Sequence, residues 1–192
     1  MRLNSIWATV VFFLWGKKME IVYEESLKKG ESYVFCPNHF SFLDIATMAK
    51  TPTYFCFVGK SSIAKVPVFG YMFRKLHITV DRNDMRSRYE TILKARQAIE
   101  EGFSLVMFPE GGMVTSNPPQ MGRFKDGAFR VAIEKQIPVI PVTIPYNWIL
   151  LPDKKIPLMR RGKTKVIYHQ PITTTGMTME DLPKLKNRTY SV

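Results

Sequence analysis

The feature that most constrains the fold of this chain is a regular alternation of short apolar segments with longer amphipathic ones. Segments of strand-type composition occupy residues 19–23, 33–36, 54–58, 78–81, 104–108, 139–144 and 165–169. Residues 85–101 have apolar side chains at helical spacing and end at Gly102, and residues 128–135 form a shorter helical segment. This alternation predicts an α/β fold in which helices flank a largely parallel sheet.

Length and composition support one folded domain, or one domain with a small appendage, and a basic surface. The chain has 192 residues, of which 45% are hydrophobic and 12% aromatic, and its formal net charge is +12. That length is sufficient to bury a core, and the composition excludes disorder. A strongly basic surface attracts the phosphates of anionic lipid or of nucleic acid. No recognition helix or aromatic-basic sheet motif is evident, so we expect no nucleic-acid partner.

The first 18 residues have the pattern of a membrane-contacting segment. Residues 3–15 are apolar and aromatic, and Gly16-Lys17-Lys18 follows them. Thirteen residues are fewer than the roughly 20 needed to span a bilayer. The segment therefore lies in the membrane interface, is the end of a longer membrane helix, or is an ordinary core helix. We expect residues 1–18 to contact an anionic membrane surface and residues 19–192 to form the main domain.

A second aromatic stretch, residues 66–76, ends in Arg74-Lys75 and offers another membrane contact. Its alternative interpretation is a loop and helix that pack on the sheet, because aromatic residues suit cores and interfaces equally. The segment of residues 111–122 is rich in turn residues and could cover a pocket or be an inert surface loop.

The first candidate site follows the apolar segment 33–36 directly. Asn38 and His39 come first, and Asp44 lies five residues after the histidine. A histidine can act as general base near neutral pH, and a carboxylate can fix its tautomer and stabilise the imidazolium. Five helical positions are rotated by about 140°, so we place His39 in the turn before a helix. That helix is predicted to begin near Ser41, with Ser41 as its cap and Asp44 within reach of the ring.

Other chemistry is less well supported by the sequence. Cys36 lies close to His39, so a thiol nucleophile is an alternative, but a cysteine inside an apolar strand is usually a small buried hydrophobe. Two cysteines imply no disulfide framework, which suits the cytoplasmic side of a membrane. The three histidines are scattered without ligand spacing, so we predict no metal site.

Four sequence blocks follow one another in a fixed order. The asparagine-histidine motif with its aspartate is the first, and residues 77–82, which end in Asp81-Arg82, are the second. The third is Phe108-Pro109-Glu110-Gly111, followed downstream by residues 124–129, which include Lys125. Residues 137–142 are the fourth, an apolar strand around a proline. In order and spacing these blocks resemble the motifs of the PlsC-like lysophosphatidic acid acyltransferases of the glycerolipid acyltransferase superfamily.

The resemblance implies a mixed, largely parallel sheet flanked by helices and a membrane-associated acyltransferase, peripheral or monotopic on the cytoplasmic face. It implies transfer of a fatty acyl group from acyl-ACP or acyl-CoA to the hydroxyl of a lysophospholipid, with no bound cofactor. His39 would be the base and Asp44 its orienting carboxylate, while Asn38 and Ser41 would shape the turn. Arg82 and Lys125 would hold the acceptor's anionic head.

Within the third block, Glu110 and Gly111 are expected at the acceptor site. Glu110 would bind the acceptor's polar head or orient a cation, and a structural role in the turn is the alternative. Backbone N–H groups near the fourth block are expected to stabilise the tetrahedral oxyanion.

The chain departs from the family pattern after the third block. The family carries an arginine there that is associated with the acceptor's phosphate, whereas this chain has Gly112 and Met113. Arg82, Arg123 and Lys125 could supply cations instead. A phosphate-free acceptor such as an acylated amino acid, a hydrolase using water, and a non-catalytic basic membrane-binding module are the other interpretations.

Overall fold

The computed structural model describes residues 2–16, 18–61, 69–81, 83–153 and 160–192. Within these ranges seven strands form one sheet in the order β1-β7-β6-β2-β5-β3-β4. The strands are β1 Met19–Tyr23, β2 Val34–Pro37, β3 Phe55–Lys60, β4 Ile78–Val80, β5 Ser104–Val106, β6 Val139–Thr143 and β7 Thr164–Tyr168.

The helices are α1 Arg2–Leu14, α2 Leu43–Met48, α3 Phe69–Leu76, α4 Met85–Glu100, α5 Gly127–Lys135, α6 Asn147–Leu150 and α7 Leu182–Tyr190. A single 3₁₀ turn, Met179–Asp181, leads into α7. The Asp84 side chain caps α4 by accepting a hydrogen bond from the Arg86 N–H at 2.9 Å. Helix α5 ends at Gln136, which has the left-handed conformation with φ +52°.

The sheet is mixed and mostly parallel, as predicted. Strands β2 to β6 all run in one direction, whereas β7 pairs antiparallel with β6 and parallel with β1. The carboxyl ends of five strands therefore meet at one edge of the sheet, and the amino end of β7 lies at the same edge. Among the described residues, loops at this edge carry His39 and the Phe108–Gly111 segment, whereas the fourth block lies largely within β6.

Among the described residues, helices pack on both faces of the sheet. Side chains of α4, α5 and α7 pack on one face, where Val34 and Cys36 of β2 contribute to the core. Those of α1, α2 and α3 pack on the other face, where Phe35 contributes. Alternate residues of a strand point to opposite faces, and a sheet buried on both faces needs the continuous apolar runs that the sequence has.

The N-terminal helix α1 has one buried side and one exposed side. Ala8 and Phe12 are buried, and Phe12 shares a cluster with Leu43 and Ala46 of α2. The exposed side presents large apolar residues to solvent, namely Ile6, Val10, Phe13 and Leu14. No helix among the described residues has the length and apolarity required to cross a membrane.

The second aromatic stretch is described only from residue 69 onward. There α3 packs on the sheet through Phe73, which is buried, while Tyr71 is exposed. The packing on the sheet follows the alternative interpretation given above, and the exposed Tyr71 leaves a membrane contact as a prediction.

The predicted strands and long helices lie within two residues of the observed bounds at each end, but the start of α2 differs. The helix begins at Leu43, not Ser41, and Phe42 is its N-cap without a side-chain hydrogen bond. The physical reason is that the N–H groups of Phe40 and Ser41 donate to the Asp44 carboxylate at 2.9 and 2.8 Å. These residues form a turn around the carboxylate, so the helix starts only after it. The prediction of Ser41 as the cap residue was therefore wrong, although its hydroxyl accepts a hydrogen bond from the Leu43 N–H at 3.1 Å.

Candidate active site

His39 lies in the turn between β2 and α2, where the sequence placed it. Its Nδ1 is 3.1 Å from Oδ2 of Asp44, and the side chains of the two residues are 9% and 1% exposed. The pair is therefore formed in a desolvated environment, where electrostatic interactions are stronger than in water.

The Asp44 carboxylate receives four hydrogen bonds. Oδ2 accepts from the backbone N–H groups of Phe40 and Ser41 and faces His39 Nδ1. Oδ1 accepts from Nδ2 of Asn147 at 3.0 Å. Because a carboxylate only accepts, the proton shared with His39 belongs to Nδ1, and Nε2 carries the lone pair that a general base needs.

Asn38 and Ser41 tie the histidine turn to the rest of the sheet edge. The Asn38 amide pairs with the backbone of Ile144, donating to its carbonyl at 3.1 Å and accepting from its N–H at 2.6 Å. The Ser41 hydroxyl donates to the carbonyl of Leu151 at 2.7 Å. Both side chains are buried, so these contacts fix the turn between two segments that lie over 100 residues further along the chain.

Glu110 holds the same turn from the other side. It is fully buried, and its two oxygens accept from the N–H groups of His39 at 3.0 Å and Gly122 at 2.7 Å. Burial raises the pKa of this carboxyl group, while the two backbone N–H groups and His39 oppose the shift. With both oxygens used by the backbone, the structural role considered for Glu110 is the one this geometry favours.

The segment around Glu110 requires glycine at two positions. Gly111 has φ +82°, a conformation that L side chains rarely adopt. A Cβ on Gly122 would lie 2.5 Å from Cγ2 of Val114 and 3.3 Å from Oε2 of Glu110. Gly122 is thus the point where the loop that follows Glu110 returns to the buried carboxylate, and the sequence analysis gave it no role.

His39 faces an apolar cavity of about 360 Å³. Its ring stacks on Phe108 with centroids 3.9 Å apart and planes inclined by 21°. The cavity falls in the size range of small-molecule sites, about 300–1,000 Å³. It is lined by His39, Phe42, Ile45, Phe57, Val58, Gly59, Lys60, Phe73, Phe108, Gly111, Gly112, Met113 and Val114.

The predicted cations have different positions. Arg82 lies outside the described residues, so its prediction stands without a structural account. Lys125 is exposed, and its backbone N–H donates to the carbonyl of Pro109 at 2.7 Å, which ties it to the turn of the third block. Lys60, at the carboxyl end of β3, is the cation that lines the cavity within the described residues, and the sequence analysis missed it.

Two alternatives can be compared with the structure. Cys36 is buried, and its burial raises the pKa of the thiol well above the ordinary value, which suppresses the thiolate that a nucleophile requires. Both cysteines are free. No group of three or more potential metal ligands occurs within the described part of the chain.

The chain is similar in sequence to a known protein family. The Acyltransferase family model matches residues 18–145, two thirds of the chain, and the chain therefore belongs to the Acyltransferase family.

Two named relatives illustrate the similarity. The chloroplastic 1-acyl-sn-glycerol-3-phosphate acyltransferase of Brassica napus is 30% identical over 88% of this chain and 48% of its own length. The 1-acyl-sn-glycerol-3-phosphate acyltransferase of Haemophilus influenzae is 30% identical over 93% of this chain and 74% of its own length. The chain thus spans about half the length of the Brassica protein.

A solved structure has the same fold. The crystal structure of the 1-acyl-sn-glycerophosphate acyltransferase PlsC from Thermotoga maritima superposes with a TM-score of 0.78 at 22% identity. The superposition covers 99% of this chain and 78% of that chain. At this identity the likeness shows the fold alone.

Proposed function

We propose that this protein is an O-acyltransferase that moves a fatty acyl group from acyl-ACP or acyl-CoA to the hydroxyl of a lysophospholipid. The proposed acceptor is 1-acylglycerol-3-phosphate, which gives phosphatidic acid for phospholipid biosynthesis. One observation carries the proposal: the Nδ1 atom of His39 is paired with Asp44, and the same histidine lines an apolar cavity. The membership of the chain in the Acyltransferase family supports the reaction class.

In the proposed mechanism Nε2 of His39 removes the proton from the acceptor hydroxyl as its oxygen attacks the thioester carbonyl. The C–O bond forms, the carbonyl π electrons move to oxygen, and Asp44 stabilises the imidazolium. Collapse of the tetrahedral intermediate breaks the C–S bond, and the departing thiolate takes the proton from Nε2. The products are an ester and a free thiol, and the reaction requires no bound cofactor or metal.

The remaining site residues take supporting roles in this proposal. Asn38, Ser41 and Glu110 hold the histidine turn, which agrees with their burial and backbone contacts. Gly111 allows the turn of the third block to border the cavity. Backbone N–H groups near the fourth block are proposed to stabilise the oxyanion.

The acceptor's anionic head would be bound by Lys60 in the cavity wall, with Arg82 and Lys125 as further cations. One observation favours a second candidate acceptor. Gly112, Met113 and Val114, which follow the third block, line the cavity and are all uncharged. A lysolipid without phosphate, such as an acylated amino acid, would suit that part of the wall.

We also propose that residues 1–18 form the membrane-contacting segment and residues 19–192 the acyltransferase domain. The exposed apolar side of α1 and the exposed Lys18 after it fit a helix that lies in the interface of an anionic membrane. The protein would then be peripheral or monotopic on the cytoplasmic face, where acyl-ACP or acyl-CoA is available.

The activity is tested by mass-spectrometric detection of product from wild-type protein and the His39→Ala variant. Each is incubated with acyl-CoA or acyl-ACP and with a panel of acceptors that includes lysophosphatidate and lyso-amino-acid lipids. We expect product from wild type and a rate lower by about 10²- to 10⁴-fold in the variant, because the general base is lost. Release of free fatty acid without lipid product would instead indicate a hydrolase.

A matched control and a second readout keep the outcomes separate. The His169→Ala variant removes a different histidine and should retain activity. If folded wild-type protein yields no product from any pair of substrates but binds anionic liposomes, the non-catalytic membrane-binding interpretation replaces the proposal.

Membrane contact is tested by liposome flotation of the Phe13→Asp variant. Phe13 lies on α1 and is 81% exposed. The control is Met85→Asp, because Met85 is 77% exposed and begins α4, which packs on the opposite face of the sheet. We expect only Phe13→Asp to reduce the bound fraction. Equal binding of both variants would contradict an interfacial role for α1.

A further inference from the structure

Asn147 is a fully buried amide at the start of α6 that belongs to none of the four motifs. Its Nδ2 donates to Oδ1 of Asp44 at 3.0 Å and to Oγ1 of Thr47 at 2.9 Å. Its Oδ1 accepts a hydrogen bond from Oγ1 of Thr164. Thr47 and Thr164 are fully buried as well, so the amide joins α2, α6 and β7 inside the protein.

The direction of each hydrogen bond in this network follows from its chemistry. A hydroxyl has one proton, and that of Thr47 is donated to the carbonyl of Leu43 at 3.0 Å, so Thr47 can only accept from Asn147. The Asp44 carboxylate also only accepts. The amide nitrogen must therefore face α2, and the amide oxygen must face the hydroxyl of Thr164. The amide has a single orientation that satisfies all its partners.

This orientation determines how the two oxygens of Asp44 are used. Oδ2 has three donors, all from the histidine turn, whereas Oδ1 has Asn147 as its donor within the described part of the chain. A buried carboxylate oxygen without a donor is unfavourable, because nothing in the protein compensates for its lost hydration. Without Asn147, the carboxylate would rotate to share the donors of Oδ2 between its two oxygens, and its contact with Nδ1 of His39 would weaken.

We propose that Asn147 is a positioning residue that holds the Asp44 carboxylate in the rotation that keeps the His39 proton on Nδ1. The effect on rate rests on the proposed acyltransferase function, but the effect on the histidine tautomer does not. Asn147 reaches the site because it follows β6, whose carboxyl end lies at the active-site edge. Strand β7 is antiparallel to β6, so its first residue, Thr164, lies at the active-site edge and fixes the far end of the amide.

The proposal is tested with the Asn147→Leu variant, which keeps the approximate side-chain volume and removes all three hydrogen bonds. The first readout is the ¹⁵N NMR spectrum of the full-length protein labelled at its three histidines, since imidazole ¹⁵N shifts distinguish Nδ1–H from Nε2–H. His77 is an internal reference, because its Nδ1 accepts from the Phe57 N–H at 3.2 Å and its proton must reside on Nε2. The second readout is kcat and KM for acyl transfer.

Two further variants separate positioning from packing. Thr174→Val is the control, since Thr174 is fully buried and its hydroxyl contacts the carbonyl of Ile137 at 2.8 Å, far from α2 and α6 in the fold. Asn147→Ser is a milder change in case Asn147→Leu does not fold, because it keeps a polar group but cannot span Asp44, Thr47 and Thr164 together.

We expect both Asn147 variants to lose the dominant Nδ1–H tautomer of His39 while the His77 signals stay unchanged. Loss of a hydrogen bond to a charged group predicts a fall in kcat of about 10- to 100-fold, with KM nearly constant. Thr174→Val should change neither readout.

A folded Asn147 variant that retains the wild-type tautomer would overturn the proposal. It would also be overturned if Thr174→Val caused the same loss, since general loosening would then explain both. If wild type proves inactive with every substrate, the acyltransferase function fails, and the tautomer measurement still decides the role of Asn147.

Discussion

Two histidine-carboxylate pairs in this protein have nearly the same contact distance and very different surroundings. In one, Nδ1 of His39 is 3.1 Å from Asp44, and in the other, Nδ1 of His169 is 2.9 Å from Glu24. The Asp44 side chain is 1% exposed, whereas that of Glu24 is 43% exposed. Distance alone would rank the pairs as equals.

The two pairs differ in the surroundings of the second ring nitrogen, Nε2, of each histidine. Nε2 of His169 is 2.8 Å from Oγ1 of Thr143, so both of its ring nitrogens are engaged by the protein. Nε2 of His39 has no hydrogen-bond partner among the described residues, and the ring borders the cavity. A base must have a free lone pair near substrate, and only the buried pair combines one with a fixed carboxylate.

The chemistry of a histidine-carboxylate pair therefore depends on what holds the carboxylate and on where the second nitrogen points. Within the described residues, Asp44 is held by three further donors beside His39, while Glu24 has one, the N–H of Gln170 at 3.2 Å. Local backbone and buried amide groups make one carboxylate part of a fixed site. The other is a surface contact that joins β1 to β7.

The largest expected difference arises when each carboxylate is replaced by its amide. In Asp44→Asn, an NH₂ group that faces the histidine turn donates to Nδ1 of His39 and selects the wrong tautomer, whereas in the other orientation it opposes Nδ2 of Asn147. In both orientations the negative charge that stabilises the imidazolium is lost. We expect acyl transfer to fall by about 10²- to 10⁴-fold, the range of general-base catalysis. Glu24→Gln should stay within about twofold of wild type in the same kcat assay. Similar losses of activity in both variants would show that the burial of the carboxylate does not decide the function of the pair.

A third histidine, His77, is partly buried and contacts no carboxylate within the described residues. His77 packs among Phe55, Phe57 and Phe73, and burial lowers its pKa from 6.5 to about 4. Between these values the unfolded chain binds the proton and the folded protein does not, so stability falls as pH decreases from about 6.5 to 4. The loss attributable to this group is about 3 kcal/mol.

The measurement is the free energy of unfolding by urea at pH 7, 5.5 and 4.5 for wild type and His77→Gln. Other acidic groups titrate in both proteins, so the difference between the two pH profiles isolates His77. Parallel profiles would contradict a neutral, buried His77 and would leave His39 as the only histidine with an unusual environment.

The next effect concerns the carboxylate that holds the backbone of the histidine turn. In Glu110→Gln one of the N–H groups of His39 and Gly122 must face an amide NH₂ group in a fully buried location. An unsatisfied buried donor costs about 1–3 kcal/mol of stability. Urea unfolding should show this loss for Glu110→Gln and a smaller change for Glu24→Gln. A neutral outcome for Glu110→Gln would mean that the turn is held without this carboxylate.

Sequence reasoning found the buried pair because it is local. His39 and Asp44 are five residues apart, and the strand before them and the helix after them follow from apolar patterning alone. The pattern also predicted β1 at its observed bounds and the mostly parallel sheet. It could not give the antiparallel direction of β7, because two-residue periodicity is the same in either direction.

The remainder of the site was missed because distant segments supply it. Asn147 lies 103 residues from Asp44, and Gly122 and Lys60 have no neighbouring motif that marks them. The start of α2 was misplaced for a related reason, since contacts of the Asp44 side chain with the N–H groups of Phe40 and Ser41 shape the turn before the helix. Side-chain contacts with main-chain groups follow from tertiary placement, which apolar periodicity does not encode.

The smallest expected effect is the coupling within the exposed pair itself. A double-mutant cycle of His169→Gln and Glu24→Gln, followed by urea unfolding at pH 7, should give about 0.2–1 kcal/mol, the range of solvent-exposed ion pairs. Solvent screens this contact, and no buried donors fix Glu24, so little free energy depends on it. A coupling above about 2 kcal/mol would mean that the contact stabilises the pairing of β1 with β7. The exposed fraction of the carboxylate side chain would then not explain how the two pairs differ.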